Sequence, residues 1–162
     1  MSFASMLSGL TKKKVRFVVV GGVAAAAHGS SRVTNDLDIC YDAEAVANIA
    51  ALASLLAGWR AYPRGIEEGL TRSFIMDDRT LCNAPILTLT TSEGDIDVMD
   101  RIAGVGPYDA VRQHSERISA LGVRFRVLDL PSLIKAKRAA GRPRDFDHLP
   151  ELEALLALRK NQ

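Results

Sequence analysis

Two short segments of the chain alternate aspartate with apolar residues, Asp36–Cys40 (DLDIC) and Asp95–Met99 (DIDVM). Alternation with a period of two is typical of a half-buried β-strand, in which side chains two residues apart share one face. Each segment therefore predicts a strand that carries two neighbouring carboxylates on one face. Carboxylates at that separation repel each other, and a cation between them relieves the repulsion. The fold must place both pairs either in solvent or around a cation.

These aspartates predict a divalent-cation site if the two strands lie side by side. Asp36 and Asp38 would supply ligands from the first strand, because carboxylate oxygens suit Mg²⁺ or Mn²⁺. We expect Asp97 to be the third ligand, since it lies deeper in its apolar segment, whereas Asp95 shares its face and remains the alternative. Asp100 would point to the opposite face. The competing interpretation is a solvent-facing stripe on an edge strand, where charges discourage aggregation.

The remaining segments predict an α/β (α+β) protein. Strands are expected over 15–20, 36–41, 59–62, 80–90, 95–99, 117–121 and 123–128. Helices are expected over 23–28, 43–56, 107–114, 131–140 and 145–158, after a weakly helical lead-in over 1–14. This order predicts a mixed twisted sheet with flanking helices and a C-terminal helical pair. We expect one compact domain, with a core over 1–129 and a helical extension over 130–162 packed on it.

Composition restricts the class of protein. The chain has 162 residues, of which 48% are hydrophobic and 25% are charged, which excludes wholesale disorder. The longest apolar runs are too short to span a bilayer, and the first residues lack the layout of a signal peptide. The two cysteines, Cys40 and Cys82, are far apart and indicate neither a disulfide framework nor a zinc site. We therefore expect a cytoplasmic protein that does not act at a membrane.

Charge is distributed unevenly along the chain. Residues 1–100 hold 9 basic and 12 acidic residues, whereas residues 101–162 hold 12 basic and 7 acidic residues. The densest basic stretch contains Lys135, Lys137, Arg138, Arg142 and Arg144. An acidic part beside a basic part is typical of a metal site that faces a phosphate-binding surface. The alternative is a solvated helix face with no binding role.

A glycine pair separates the first predicted strand from the helix that follows it. Gly21 and Gly22 would allow the backbone to approach a phosphate closely, although a plain tight turn requires the same residues. Ser30 would donate a hydrogen bond to a phosphate, and Arg32 would contact a phosphate or pair with an aspartate. Thr34 lies just ahead of the first aspartate. The alternative is a loop whose polar side chains bond to their own backbone.

The order of these motifs resembles the DNA polymerase β-type nucleotidyltransferase superfamily. Gly21-Gly22, Asp36, Asp38 and Asp97 match its glycine turn, its paired acidic residues and its third acidic residue in sequence order. The stretch GGVAAAAHGSSRVTNDLDI is most similar to the small bacterial and archaeal branches, which include AbiEii-type toxin nucleotidyltransferases and the lincosamide or aminoglycoside nucleotidyltransferases.

The C-terminal segment LPSLIKAKRAAGRPRDFDHLPEL resembles the tail of the AbiEii-like branch. Lys137, Arg142 and Asp145 occupy its recurrent positions, whereas His148 stands where that tail often has an aspartate. The resemblance covers residues 17–42, 94–100 and 130–152. The segment 59–90 contributes no motif.

The resemblance implies a nucleotidyltransferase-like fold and a chemistry. Two Mg²⁺ or Mn²⁺ ions would be held by Asp36, Asp38 and Asp97, which would act together in catalysis. An NTP would be the substrate, and the nucleotide-binding residues would be Gly21, Gly22, Ser30, Arg32, Thr34 and Lys137. The acceptor would carry a hydroxyl group, and the tail favours the toxin–antitoxin-like branch, in which tRNA or a partner protein is the acceptor.

Three other functions compete with this interpretation. An aminoglycoside- or lincosamide-type enzyme usually adds a larger acceptor-binding domain, for which this chain has little room. A non-catalytic interaction module that keeps the nucleotidyltransferase fold does not require all three carboxylate positions to be filled. A simple nucleic-acid-binding protein would explain the basic stretch and not the aspartates.

Overall fold

A computed structural model describes residues 2–161, apart from the side chain of Glu68, and contains a seven-stranded mixed sheet. The helices are α1 (Phe3–Lys12), α2 (Gly21–Ala27), α3 (Val46–Gly58), α4 (Asp78–Cys82), α5 (Tyr108–Gln113), α6 (Leu130–Ala140) and α7 (Pro143–Lys160), with a 3₁₀ turn over Glu68–Ser73. The strands are β1 (Phe17–Val20), β2 (Asp36–Tyr41), β3 (Tyr62–Pro63), β4 (Ile86–Thr91), β5 (Gly94–Met99), β6 (Arg101–Ile102), β7 (Gly106–Pro107), β8 (Ser115–Ala120) and β9 (Val123–Leu128). The predicted mixed sheet with flanking helices is confirmed.

The sheet order is β3-β4-β5-β2-β1-β9-β8, and β6 pairs with β7 in a separate ribbon. β1 runs antiparallel to β2, whereas β2 and β5 are parallel, as are β1 and β9. The two aspartate-bearing strands are therefore direct neighbours near the middle of the sheet, not edge strands. Leu37, Ile39 and Ile96 of these two strands are fully buried, as are Val18 and Val19 of the neighbouring β1.

The N-terminal segment corrects the prediction of a weakly helical lead-in, because α1 is a ten-residue helix. Ser2 caps it by accepting a hydrogen bond from the backbone N–H of Ser5. Met6, Leu7 and Leu10 lie on one face and are fully buried against the core. This apolar stripe, together with the partly buried Phe3, docks the helix on the core.

The predicted strand over 80–90 is wrong at its start, where the chain forms α4 instead. Asp77 caps α4 through a 3.0 Å hydrogen bond from the backbone N–H of Thr80. The Thr80 hydroxyl donates to the carbonyl of Ile75 at 2.7 Å. β4 begins only after Pro85. The threonine that favoured a strand in the sequence here stabilises a helix terminus.

The C-terminal helices α6 and α7 pack on α2 through a second apolar cluster, which consists of Ala25, Leu130, Ile134, Leu149 and Leu152. Gly141 joins the two helices in the left-handed conformation, with φ of 65°. The division of the chain at residue 129 stays a prediction. No helix within residues 2–161 combines the length and the apolar character that crossing a membrane requires.

Asp145 is the buried charge that fastens this helical pair. Its carboxylate accepts hydrogen bonds from Arg142 Nε at 2.7 Å and from Lys137 Nζ at 3.2 Å, and it is fully buried. Burial raises the pKa of Asp145, but the hydrogen bonds from Arg142 and Lys137 outweigh burial and hold that pKa at about 2.

Replacing this carboxylate tests its role. Asp145→Asn leaves Lys137 and Arg142 without their anion, and we expect it to lower the free energy of unfolding by about 1–3 kcal/mol at neutral pH. Because the folded pKa lies below the ordinary 3.8, the stabilisation is present above about pH 4 and is lost as pH falls towards 2. Urea unfolding between pH 2 and 7 measures both effects. Asp147→Asn, two residues along the same helix and exposed, is the control; equal losses in both variants would contradict the assignment.

Candidate functional site

Four carboxylates converge on one face of the sheet. In the parallel register of β2 and β5, Asp36 lies opposite Asp95 and Asp38 lies opposite Asp97. One carboxylate oxygen from each of Asp36, Asp38 and Asp97 lies within 4.8 Å of the others, a spacing that would fit one metal ion. The sequence-based expectation that the two strands pair and bring a third carboxylate to the first two is confirmed.

The surroundings of Asp38 strongly disfavour the charged form of its carboxyl group. Burial, followed by the charges of Asp36 and Asp97, raises the pKa of Asp38 to about 8. Its Oδ1 is buried and has no hydrogen-bond partner within residues 2–161. Burial also raises the pKa of Asp97. A buried carboxylate oxygen without a donor is costly, and a divalent cation would satisfy it.

Arg64 is a site residue that the sequence analysis missed. It follows β3, and its backbone N–H donates to the Thr88 carbonyl on β4 at 2.9 Å. Its guanidinium reaches Asp97 at 2.8 Å, Asp95 at 3.4 Å and Asp36 at 3.9 Å. The guanidinium is thus the internal cation of the acidic cluster. No local motif marks Arg64, because a two-residue strand and long-range pairing place it.

The geometry distinguishes the two candidates for the third carboxylate. Asp95 lies on the same face, but it belongs to the ion pair with Arg64 and not to the close group of three. Asp97 belongs to both. This favours Asp97 as the third ligand, as predicted, and the catalytic roles of all three aspartates remain a proposal.

The glycine pair makes room for the site. Gly21 has φ of 63°, and a Cβ there would lie 2.0 Å from Asp38 Oδ2. A Cβ on Gly22 would lie 2.6 Å from Thr34 Oγ1. Both distances are far below any real contact, so the turn excludes side chains at both positions. Close packing of Gly21 against Asp38 and of Gly22 against Thr34 is therefore a reason for the Gly-Gly motif that is independent of phosphate binding.

The predicted nucleotide-binding loop is held by neighbouring structure. The Thr34 hydroxyl donates to the Asp36 carbonyl at 3.1 Å. The Ser30 hydroxyl donates to Glu151 of α7 and lies 3.0 Å from His148 Nε2. These contacts fix the loop before β2 and already occupy the Ser30 hydroxyl.

The exposed Arg32 donates to the Arg144 carbonyl at 3.4 Å. Glu151, a second residue missed in the sequence, also accepts hydrogen bonds from the backbone and hydroxyl of Ser31. The loop and the start of α7 thus form one unit. A nucleotide role for Ser30, Arg32 and Thr34 stays a prediction.

Lys137 connects the C-terminal helices to the acidic cluster. Its ammonium group bonds to Asp145, and its side chain is 20% exposed. Burial raises the pKa of Asp38, and the charge of Lys137 opposes that rise, so the two groups lie within electrostatic reach. The nucleotide-binding role of Lys137 stays a prediction.

Comparison with solved structures finds similar architectures. The chain matches no protein-family model and no curated protein. Among solved structures, it is similar to a protein from Thermotoga maritima described as a "putative nucleotidyltransferase". The two share 17% sequence identity with a TM-score of 0.46, and the match covers 99% of this chain and 94% of the other. At this level the similarity concerns the overall arrangement of elements and assigns no activity to this chain.

The close packing at Gly21 generates a prediction. Gly21→Ala forces a side chain into the left-handed region and against Asp38, and we expect a loss of about 1–2 kcal/mol in the free energy of unfolding. It should also weaken Mn²⁺ binding, because the Asp38 carboxylate must shift. Gly58→Ala is the control, since no atom lies within 4 Å of its Cβ position, and its stability should stay the same or rise slightly. Unfolding curves and Mn²⁺ titration by electron paramagnetic resonance make the comparison; normal Mn²⁺ affinity in Gly21→Ala would contradict it.

The internal cation generates another prediction. Arg64→Gln leaves four carboxylates facing one another, and we expect the metal-free protein to lose about 1–3 kcal/mol of stability at neutral pH. Added Mg²⁺ or Mn²⁺ should restore more stability to the variant than it adds to the wild type. Thermal unfolding with EDTA and with each metal measures this. The control is Arg101→Gln, which removes an arginine from an exposed pair with Asp100 and should have little effect.

Proposed function

We propose that this protein is a metal-dependent nucleotidyltransferase, which transfers a nucleoside monophosphate from an NTP to an acceptor hydroxyl. The observation that carries the proposal is the close group of Asp36, Asp38 and Asp97, in which a buried oxygen of Asp38 lacks a hydrogen-bond donor among the described residues. The order of the glycine turn and the three aspartates in the sequence supports the same assignment.

The residues fit a divalent metal. The donor set consists of carboxylate oxygens alone, which suits Mg²⁺ or Mn²⁺. Asp36, Asp38 and Asp97 would hold the metal. When bound, it would neutralise the charge of a triphosphate and act as a Lewis acid on the phosphoryl oxygens, which would make the α-phosphorus more electrophilic.

The proposed reaction forms one bond, breaks one bond and transfers one proton to a side chain of this protein. The acceptor oxygen forms a bond to the α-phosphorus, and the bond from that phosphorus to the bridging oxygen breaks, so that pyrophosphate leaves. Asp97 would accept the proton of the acceptor hydroxyl, at the oxygen that does not bond to Arg64. Gly21 and Gly22 would lie beside the triphosphate, and Lys137 would add positive charge near it. Positioning and charge neutralisation would supply most of the rate enhancement.

The acceptor and the branch belong to the same proposal. The C-terminal tail favours the toxin–antitoxin-like branch, with tRNA or a partner protein as acceptor. Contacts of Lys137 and Arg142 with the buried Asp145 support a structural role for this tail beside the active site. The aminoglycoside- or lincosamide-type enzyme is the alternative within the same chemistry.

A non-catalytic module is the second candidate, and Arg64 is the observation that favours it. A guanidinium that pairs with Asp36, Asp95 and Asp97 compensates part of their charge without any metal. Such a cluster would serve as a structural element. Metal binding therefore separates the two candidates.

Label transfer tests the proposal. Each α-labelled NTP is incubated with Mg²⁺ or Mn²⁺ and with bulk tRNA, mixed proteins or aminoglycosides. We expect the wild type to label one acceptor class and the Asp36→Asn/Asp38→Asn variant to label none, with a loss of at least about 1000-fold, because removal of transition-state electrostatics has effects of that order. The matched control Asp109→Asn/Asp147→Asn removes two exposed carboxylates and should keep full activity. Mn²⁺ titration of the same proteins gives a readout that is independent of the acceptor. Unchanged Mn²⁺ affinity in the Asp36→Asn/Asp38→Asn protein would exclude the assigned site.

A further inference from the structure

A groove of about 480 Å³ opens at the start of β1, bordered by the end of α1, by α5 and by the β8–β9 hairpin. Its lining includes six cationic side chains from these elements: Lys14, Arg16, Arg112, Arg117, Arg124 and Arg126. Lys12 and Lys13 precede them at the end of α1. No motif in the sequence indicated this concentration of charge, since its residues come from four separate segments.

Most of the positive charge in the groove is uncompensated. Within residues 2–161, only Arg16 among the six forms an ion pair, with Asp42 at 3.4 Å. Arg117 and Arg126 are direct cross-strand partners on neighbouring strands. Like charges in that position destabilise a sheet, and a bound anion would relieve the repulsion.

The basic stretch that the sequence singled out is compensated much more fully. Lys137 and Arg142 bond to Asp145, and Arg138 bonds to Glu153. Only Lys135 and Arg144 of that stretch have no ion pair in the described part of the chain. The groove therefore carries more unpaired positive charge than the C-terminal stretch does.

The groove fits phosphates better than bases. Phe17, Tyr108 and Phe125 line it, but their exposure is 8%, 5% and 6%, so they present no open ring face on which a base would stack. Arg112, Arg117 and Arg124 are exposed and come from three different elements. Such a set of guanidinium groups suits an array of phosphates, to which arginine donates paired hydrogen bonds. A double helix presents such an array on its outside and keeps its bases inside.

We propose that this groove binds the phosphodiester backbone of a double-helical nucleic acid, independently of sequence. The site is separate from the acidic cluster: the groove lies at the Phe17 end of β1, whereas Asp38 pairs with Val20 at the other end. The two ends are about 10 Å apart along the strand. Binding at the groove does not depend on catalysis at the carboxylates.

Fluorescence anisotropy with labelled duplexes of about 16 base pairs tests the proposal. Duplex RNA and duplex DNA of unrelated sequences are titrated at several salt concentrations, with polyglutamate as the polyanion that lacks phosphates. The test variant is Arg117→Gln/Arg124→Gln. The matched control is Lys135→Gln/Arg144→Gln, which removes the same charge from the unpaired positions of the C-terminal stretch.

We expect the groove variant to bind tens of fold more weakly at about 0.1 M salt, and its slope of log K against log salt to fall by about 1.8. The control should keep the wild-type slope. Thermal unfolding guards against misfolding, because loss of Arg117 removes a like-charge contact and should not lower stability. A wild type that binds neither duplex, equal losses in both variants, or polyglutamate binding as tight as duplex binding would overturn the proposal. Tight binding of either duplex RNA or duplex DNA supports the proposal, and the difference between the two affinities identifies which duplex the groove prefers.

Discussion

The parallel pairing of β2 and β5 is the constraint on which the rest of the site depends. It forces Asp36, Asp38, Asp95 and Asp97 onto one face in register, although like charges would separate if they were free. Two neighbouring residues, Gly21 and Arg64, make this arrangement of carboxylates possible. Gly21 has no side chain where Asp38 needs space, and Arg64 lies where the carboxylates need a cation. The raised pKa of Asp38, caused first by burial, indicates that the compensation by protein groups is incomplete.

A second buried carboxylate shows the opposite balance within the same chain. Asp145 is fully buried, but Lys137 and Arg142 donate to both of its oxygens, and its pKa is about 2. A fully bonded carboxylate of this kind holds helices together and has no capacity left for a ligand. Asp38 has a buried oxygen without a donor among the described residues, which makes it suited to a metal. The comparison separates a structural charge from one that is available for chemistry.

The sequence predicted those parts of the fold that depend on local periodicity. The period-two alternation located β2 and β5, and the assumption that they pair was sufficient to bring Asp97 to Asp36 and Asp38. The role of Arg64 could not be predicted from the sequence, because its position depends on a two-residue strand that pairs with β4 across a long loop. The predicted strand over 80–90 was wrong at its start for a related reason, because the helix cap at Asp77 outweighed the strand preference of threonine. Long-range pairing and side-chain capping leave little trace in single-sequence patterns.

The fold distributes the acidic and basic residues of the two halves of the sequence over separate surfaces. Four of the twelve acidic residues in 1–100 lie together on the β2–β5 face. Basic residues of 101–162 occur in a C-terminal pair of helices, where ion pairs compensate part of the charge, and in the groove, where most of the charge is unpaired. Lys14 and Arg16 from the N-terminal half also line the groove. The sheet therefore has opposite charge at the two ends of β1. Their separation of about 10 Å is close to the Debye length at 0.1 M salt. The field between them is therefore strong in dilute salt and largely screened at higher ionic strength. Because phosphates are anionic, the cationic groove attracts a phosphate-rich molecule, whereas the metal-free carboxylates repel it.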